Sequence, residues 1–389
     1  MSGSDDDTIR ITPDGGDGDS FTSTTSQSWF SRIGGALMGL LFALLLLPGS
    51  GWLLFWNEGR AVQTARSLTE GAGIVRSVPA ERPDATNEGK LVHVSGPVRM
   101  TQLPFDADFD VKPPNGTLRL ARIVEMYQWV EENHSETRTR MGGGTETVTT
   151  STYRREWREG RVDSSRFRQP NGHENPQPRQ SSRNFFAQGV TLGGFRIAES
   201  QLSAIPAAEP LTPANGEATR YVGNDANNPR VGDLRISWRY AHPETVSVIG
   251  AQVGDGFGPY ATNAGDRLLI LRAGSLPAAA MFQQAQDDNK LLTWILRAVG
   301  VVLMFIGWSL LLAPLKVLAD VIPPLGAVVG FGTMALAGVL TFLAAPVIIA
   351  VAWLFYRPLV GIAILAAGMA LAYGITRLRR RRPQVEKPA

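Results

Sequence analysis

Four stretches of this chain are too long and too apolar to be soluble helices, and the rest of the sequence has to be arranged around them. Residues 33–56, IGGALMGLLFALLLLPGSGWLLFW, run 24 residues without a charge. At 1.5 Å per residue such a helix covers about 36 Å, enough to cross a hydrocarbon core of about 30 Å with tilt to spare. Residues 291–315, 325–355 and 359–375 repeat the pattern. The third of these is longer than one crossing needs, which predicts strong tilt or a break at Pro346. Only Arg357-Pro358 lies in the connection to the fourth, so these two spans form a tight hairpin. A cleaved leader is the alternative reading of 33–56, but the run exceeds a leader's apolar core and continues into NEGRAVQTARSLTEG, not an A-x-A site.

Between the first and second apolar stretches lies a polar middle of roughly 230 residues, enough for one sizeable domain or two small ones. Its start, residues 58–70, carries Ala61, Ala65 and Leu68 at helical spacing, and residues 277–290 are also helical in pattern. The segments 90–100, 118–132, 146–159, 184–197, 233–241, 245–253 and 266–274 are instead rich in β-branched and aromatic residues and bounded by Gly, Pro, Asn or Asp. They predict strands, with a turn at Gly142-Gly143-Gly144 and a short hairpin connection at His242-Pro243. Residues 200–230 lack a clear period and read as an inserted surface excursion. Residues 1–31, rich in Ser, Thr, Gly and Asp, read as a disordered tail.

The predicted fold class is therefore a membrane protein with an α-helical four-span bundle and a large mainly-β domain over residues 57–290, a barrel or sandwich with helical insertions. A small oligonucleotide-fold-like barrel is one candidate. The boundaries are a tail at 1–31, spans at 33–56, 291–315, 325–355 and 359–375, and a basic tail at 376–389. Arg377, Arg379, Arg380, Arg381 and Arg382 directly follow the last span, and such clusters stay on the cytoplasmic side. Four crossings then place both termini in the cytoplasm and residues 57–290 outside it or in a lumen. Arg32 and Lys316 support that arrangement, while Arg60, Arg66 and Lys290 oppose it.

Several chemistries lose their usual sequence support. The chain has no cysteine, which removes disulfides, thiol catalysis and cysteine-ligated metals. Its four histidines, His93, His134, His173 and His242, show no metal-ligand spacing, so neither a metal nor another cofactor is expected. Nucleophile-elbow and phosphate-loop motifs are missing, and Glu125, Glu131 and Glu156 read as solvated or salt-bridged strand residues, so no catalytic residue is assigned. The formal net charge of +3 is small, and its basic excess gathers at the C-terminus, which argues against a nucleic-acid partner.

Inside the apolar stretches, Arg297 lies about two turns into the second span, where it either snorkels to nearby headgroups or makes an intramembrane pair or a lipid-phosphate contact. Trp52, Trp56, Trp294, Trp353 and Tyr356 fall near span ends, the position interfacial aromatics prefer. Gly35 with Gly39, Gly326 with Gly330 and Gly368 with Ala372 permit close helix packing. The arginine run is a candidate contact for anionic lipid as well as an orientation signal.

A set of longer motifs runs through the chain in order: Asn57-Glu58-Gly59-Arg60-Ala61, TARSLTEG (64–71), NEGKLVHVSG (87–96), VEMYQWVEE (124–132), YRREWRE (153–159), GHENP (172–176), VGDLRISWRYA (231–241), TWILRAVG (293–300) and AWLFYRPL (352–359). Together they resemble the LUMA family, also called transmembrane protein 43, from about residue 30 to residue 360. Carried onto this sequence, the resemblance marks Asn57, Glu58, Gly59, Arg60, Glu125, Trp129, Trp157, Asp233, Arg235, Arg357 and Pro358 as motif residues and supplies no catalytic ones. It implies four spans, a large lumenal or extracytoplasmic domain, self-association and a scaffold or organiser role. Lamin and emerin partners, with residence in the endoplasmic reticulum and inner nuclear membrane, follow only for a eukaryotic source. In a bacterium the plasma membrane takes their place. The expected function is a non-enzymatic membrane scaffold binding lipids and other membrane proteins; an envelope enzyme and a transporter or channel accessory subunit are the alternatives.

Overall fold

A computed structural model describes residues 10–13, 19–213 and 217–359, together with 362, 363, 366, 368–370 and 373. The described chain runs β1 (Arg10–Pro13), β2 (Ser20–Gln27), α1 (Trp29–Ile74), β3 (Arg76–Ser77), β4 (Leu91–Arg99), β5 (Arg119–Thr139) and β6 (Thr145–Glu159). It continues through β7 (Arg183–Phe186), β8 (Thr191–Leu192), β9 (Phe195–Arg196), α2 (Glu199–Leu202), β10 (Glu209–Leu211), β11 (Thr219–Val222) and β12 (Leu234–Ala241). β13 (Thr245–Val253), β14 (Gly256–Gly258), β15 (Tyr260–Ala261), β16 (Arg267–Leu268), β17 (Ile270–Ala273), α3 (Ala278–Ala319) and α4 (Pro323–Tyr356) follow. Two compact units result. One holds the residues up to Ser28, Ser67–Arg140 and Thr145–Gln286; the other holds Trp29–Arg66, Met141–Gly144 and the residues from Asp287 onward.

The first unit is built on two sheets. In the eight-stranded sheet the order is β1-β2-β6-β5-β12-β10, with β11 also on β12 and β7 also on β5. Strict alternation along β5 explains its place: Leu120, Val124, Met126 and Val130 are buried, while Glu125, Tyr127, Trp129 and Glu131 line the opposite face. The buried face packs on Leu234, Ile236 and Trp238 of β12. Burying Trp238 requires a partner for its indole N–H, which donates to Asp106 at 2.9 Å; Asp106 and Arg122 form a buried ion pair at 2.8 Å. The seven-stranded sheet runs β17-β13-β14-β9-β8-β4-β3, and a further β13–β4 pairing closes β13, β14, β9, β8 and β4 into a ring. Val92, Val94, Val246, Val248, Leu192 and Phe195 belong to its core. A third cluster joins Leu68 of α1 and Met281 and Phe282 of α3 to Leu91, Ile249 and Leu268.

Three helices among the described residues are long and apolar enough to cross a membrane: α1, α3 and α4. Phe42, Leu45, Phe331 and Phe342 are each more than half exposed, as lipid-facing side chains are. Within the second unit, Leu54, Met304 and Ala345 form a small buried core. Gly300, where a Cβ would stand 2.6 Å from Leu54, and Gly307, where it would meet Leu47 at 2.8 Å, admit close approach between helices. Of the small-residue pairs expected to pack helices, Gly35 and Gly368 have open space and Gly39 reaches Leu310 only at ordinary contact distance, whereas a Cβ at Gly326 would collide with Asp320 and one at Gly330 would stand 3.0 Å from Lys316.

The structure changes several sequence expectations. Residues 20–27, expected within a disordered tail, form a strand paired along its whole length with Thr145–Thr152 of β6. Their Thr side chains suit a pleated surface, and the Thr22 and Thr150 hydroxyls meet at 3.4 Å. The segment preceding the first apolar stretch thus shares a sheet with the domain that follows it, a link that counting flanking charges does not register. His242-Pro243 joins no hairpin: β12 lies in one sheet and β13 in the other, so this corner passes the chain between sheets. Residues 184–197 break into β7, β8 and β9, split between both sheets. The 200–230 excursion supplies β10 and β11, both paired with β12. α4 runs unbroken through Pro346. Most of the fourth expected span, 359–375, and all of Arg377, Arg379 and Arg380 lie outside the described residues.

Candidate functional sites: a buried helix clasp and an aromatic sheet face

Where the apolar part of α1 ends, the sequence Asn57-Glu58-Gly59-Arg60 puts four small or polar residues on one helical turn. A carboxylate withdrawn from water here costs several kcal/mol unless it is paired. Glu58, 3% exposed, is paired on both oxygens. Arg297 of α3 donates from Nε to Oε1 at 2.6 Å and from Nη2 to Oε2 at 2.8 Å, the two-pronged geometry in which guanidinium and carboxylate fit best. Trp353 of α4 adds its indole N–H to Oε2 at 2.8 Å. The Arg297 guanidinium also lies 4.7 Å from the Trp294 ring centre.

Around this pair the remaining polar groups close on one another. Asn57 donates to the Thr293 carbonyl at 3.1 Å, and Asn289 donates to the Ala61 carbonyl at 3.0 Å. Arg60 reaches Asn289 Oδ1 and Thr293 Oγ1, each at 3.1 Å. Gly59 leaves room for Tyr356, whose ring carbon would stand 2.5 Å from a Cβ at that position. Arg66 donates to the Tyr356 carbonyl at 2.8 Å, and the Arg357 N–H bonds Trp353 O at 2.7 Å. Three helices are thereby fastened at one level. Of the two readings of Arg297, the paired one holds, and its partner is a carboxylate. Trp353 donates to a buried carboxylate and is more than an interfacial ring, whereas Trp56 stacks on Trp52 and Trp294 is largely exposed, as interfacial aromatics are.

A second fastening in the same unit uses Arg32, which pairs with the buried Asp320 and donates to the Gly143 carbonyl. Trp29 donates to Val317 O at 2.8 Å, and Gly142 N–H to Val321 O at 3.1 Å. Gly142 and Gly143 have φ of 89° and 82°, which suits glycine at this tight tip. Sequence reasoning treated Arg32 only as an orientation charge and passed over Asp320.

In the first unit the remaining motif residues lie on one face of β12, β5 and β6. Arg235 is cross-strand from Glu125 and pairs with it at 2.9 Å, while its guanidinium lies 5.0 Å from the Trp157 ring centre. Trp157 packs on Tyr127 at 5.3 Å and on Tyr221 at 6.1 Å. The Tyr221 hydroxyl donates to Asp233; burial, and then this acidic neighbour, pushes its pKa up to about 12. Further along the face, Trp129 exchanges both backbone hydrogen bonds with the Asn175 side chain, at 2.8 and 2.9 Å, and its ring stands edge-on to His173 at 4.7 Å. Glu125, Trp129, Trp157, Asp233 and Arg235 therefore share one aromatic and charged surface. Among the described residues no group of three His, Asp or Glu side chains is placed to hold a metal ion.

Sequence reasoning gives no place to Asn289, Tyr221 or Asp320, and it meets Thr293, Tyr153 and Asn175 only inside longer motifs. A signal existed for Asn289 and Thr293, since Asn289, Thr293 and Arg297 recur every fourth residue on the face by which α3 enters its apolar stretch.

Comparison with known proteins places these features in context. Residues 126–358 match the family described as Transmembrane protein 43. The chain is 35% identical over 378 residues to Transmembrane protein 43 of Homo sapiens, covering 90% of this chain and 92% of that one. It is 34% identical to the Rattus norvegicus protein of the same name, over 87% of this chain and 89% of that one. It is 32% identical to the Drosophila melanogaster Transmembrane protein 43 homolog, over 87% of this chain and 94% of that one. No solved structure matches it.

Proposed function

This chain belongs to the transmembrane protein 43 family, and from that membership we propose that it is a non-enzymatic membrane scaffold whose helices form a fixed anchor and whose β domain recruits protein or lipid partners. The observation that carries the proposal is the state of Glu58. A carboxylate serving transport or proton transfer has to change partners, whereas here Arg297 and Trp353 occupy both oxygens and Asn57, Arg60, Asn289 and Thr293 surround them with mutual hydrogen bonds. A network satisfied in this way holds helices together. The recruiting surface is the Glu125–Trp157–Arg235 face, where aromatic rings and guanidinium groups are combined as in many protein interfaces.

A photo-crosslinking residue at Tyr127, in cells, tests the recruiting half. Discrete adducts that disappear in Arg235→Glu, with expression and membrane insertion unchanged, are the expected result. An adduct pattern identical in wild type and variant, or none in either, rejects that face as the recruiting surface.

For sidedness, we propose that the basic C-terminus is cytoplasmic and the β domain extracytoplasmic, as the arginine run supports. Residues 20–27 share the domain's side, as the β2–β6 pairing supports, which leaves both ends of α1 on that side and α3, α4 and the fourth apolar stretch as the crossings. Whether the membrane is a bacterial plasma membrane or an endoplasmic-reticulum and nuclear membrane follows from the source. Lamin- or emerin-type partners belong to the second case only.

A further inference from the structure

Beside the buried face of β5 and β12, the first unit holds a cavity of about 330 Å³ that neither the helix clasp nor the recruiting face uses. Its volume falls at the lower end of the range for small-molecule sites, about 300–1,000 Å³. Val111 and Trp238, both buried, form its wall together with the half-buried Phe109. Asp110, Glu217 and Arg220 line it too and are exposed.

The wall is held in place by contacts of its own. The segment Asp106–Val111 closes on itself through two backbone hydrogen bonds, Asp106 N–H to Val111 O and Val111 N–H to Asp106 O, each at 3.1 Å. The Asp106 carboxylate is the one that accepts the Trp238 indole and pairs with Arg122. Within this segment Phe109 stands edge-on to Trp238 at 5.6 Å. Asp110 has φ of 51°, a left-handed conformation that Asp and Asn tolerate better than most side chains.

Arg220 is the residue that strand alternation does not explain. In the β11–β12 register it stands opposite Ile236, so it shares the face on which Leu234, Ile236 and Trp238 are buried. An apolar side chain is the usual occupant of such a position. Its guanidinium lies 5.4 Å from the Phe109 ring centre. Arg122, at 5.2 Å from the same ring, is neutralised by Asp106 and Asp108, each at 2.8 Å. Arg220, Asp110 and Glu217 have no ion-pair partner among the described residues.

One unpaired cation and two unpaired carboxylates around an aromatic wall are complementary to a molecule that carries both signs of charge. We propose that this cavity binds a small zwitterion, an ammonium joined through a few bonds to a phosphate or carboxylate, as in phosphocholine or an aromatic amino acid. Arg220 takes the anionic group, Asp110 and Glu217 take the ammonium, and the rings of Phe109 and Trp238 cover the apolar part. A ligand of one sign fits less well: an anion meets the two carboxylates, and a cation meets Arg220. A zwitterionic lipid headgroup and a soluble zwitterion offer the same chemistry, so the experiment has to separate them.

The test uses the full-length protein in nanodiscs of phosphatidylglycerol, whose headgroup has no ammonium. Calorimetric titration is expected to show saturable binding of phosphocholine, phenylalanine or both, with choline and inorganic phosphate bound about ten-fold more weakly or not at all. Arg220→Gln, and separately the double variant Asp110→Asn with Glu217→Gln, are each expected to weaken binding about ten-fold or more. All three side chains are exposed, and Asn keeps the left-handed backbone at position 110, so thermal midpoints are expected to match the parent's. Arg183→Gln, which removes the guanidinium lying 5.3 Å from the Phe185 ring, is expected to bind as the parent does. Replacing half of the lipid by phosphatidylcholine separates the sources: a weakened phosphocholine titration assigns the lipid headgroup, and an unchanged one assigns the soluble zwitterion. No saturable binding of either probe up to about 10 mM, choline or phosphate binding as well as the zwitterions, or full binding in either variant overturns the site.

Discussion

Glu58 shows why a charge can be retained beside an apolar helix. Alone it would be expelled from this site, and with Arg297 it becomes the point at which α1, α3 and α4 are tied. Removing one member leaves the other buried and unpaired, a loss of about 3–5 kcal/mol, whereas removing both together leaves no orphan charge. In thermal unfolding of detergent-solubilised protein, Glu58→Gln and Arg297→Met are each expected to be strongly destabilised and the double variant less so than either. Single variants as stable as the parent would show that the clasp carries no weight. His93 provides a different test. Burial pulls its pKa below the ordinary imidazole range, partly offset by its hydrogen bond to the Leu276 carbonyl. The unfolded chain therefore takes up that proton first, so the domain keeps full stability above about pH 6.5 and loses it as pH falls toward the folded value. His93→Gln is expected to make the acid side of the stability–pH curve shallower. A slope unchanged by the substitution would assign acid sensitivity elsewhere.

At the scale of elements, legibility followed the length over which a physical signal is repeated. α1, α3 and α4 could be read because a span repeats one demand, apolarity, for more than twenty residues. β4, β6, β12 and β13 were readable from their bounded β-branched runs, with ends close to those observed. β2 was not, because SFTSTTSQ has low apolar content, and its strand state depends on Thr145–Thr152, more than a hundred residues away. The His242-Pro243 corner was misread for a related reason: a two-residue connection fixes proximity but not which sheet the next strand joins. Of the clasp, Asn57–Arg60, Arg297 and Trp353 were all singled out, but for different reasons, and only their pairing in space makes them one site. The aromatic face was visible as motif residues and invisible as a face, since β12 meets β5 across more than a hundred residues of chain.

For the whole molecule, the β2–β6 pairing makes a prediction about compartments. Single cysteines at positions 22 and 150 are expected to react with an impermeant maleimide from the same side of sealed vesicles, and a cysteine at position 385 from the other. Position 22 reacting with position 385 instead would restore the simple four-crossing arrangement and separate β2 from its partner. The cluster of Leu68, Leu91, Ile249, Leu268, Met281 and Phe282 has a further consequence, for biosynthesis. It draws on residues from both ends of the domain, so a nascent chain emerging from the ribosome cannot complete it until about residue 282 has been made. Until then Leu68 and Leu91 lack their later partners, and chaperones or proteases have that interval in which to act. Nonsense or frameshift lesions shortly before residue 281 should accordingly be cleared as unfinished chains even though nearly all of the β-forming sequence is present.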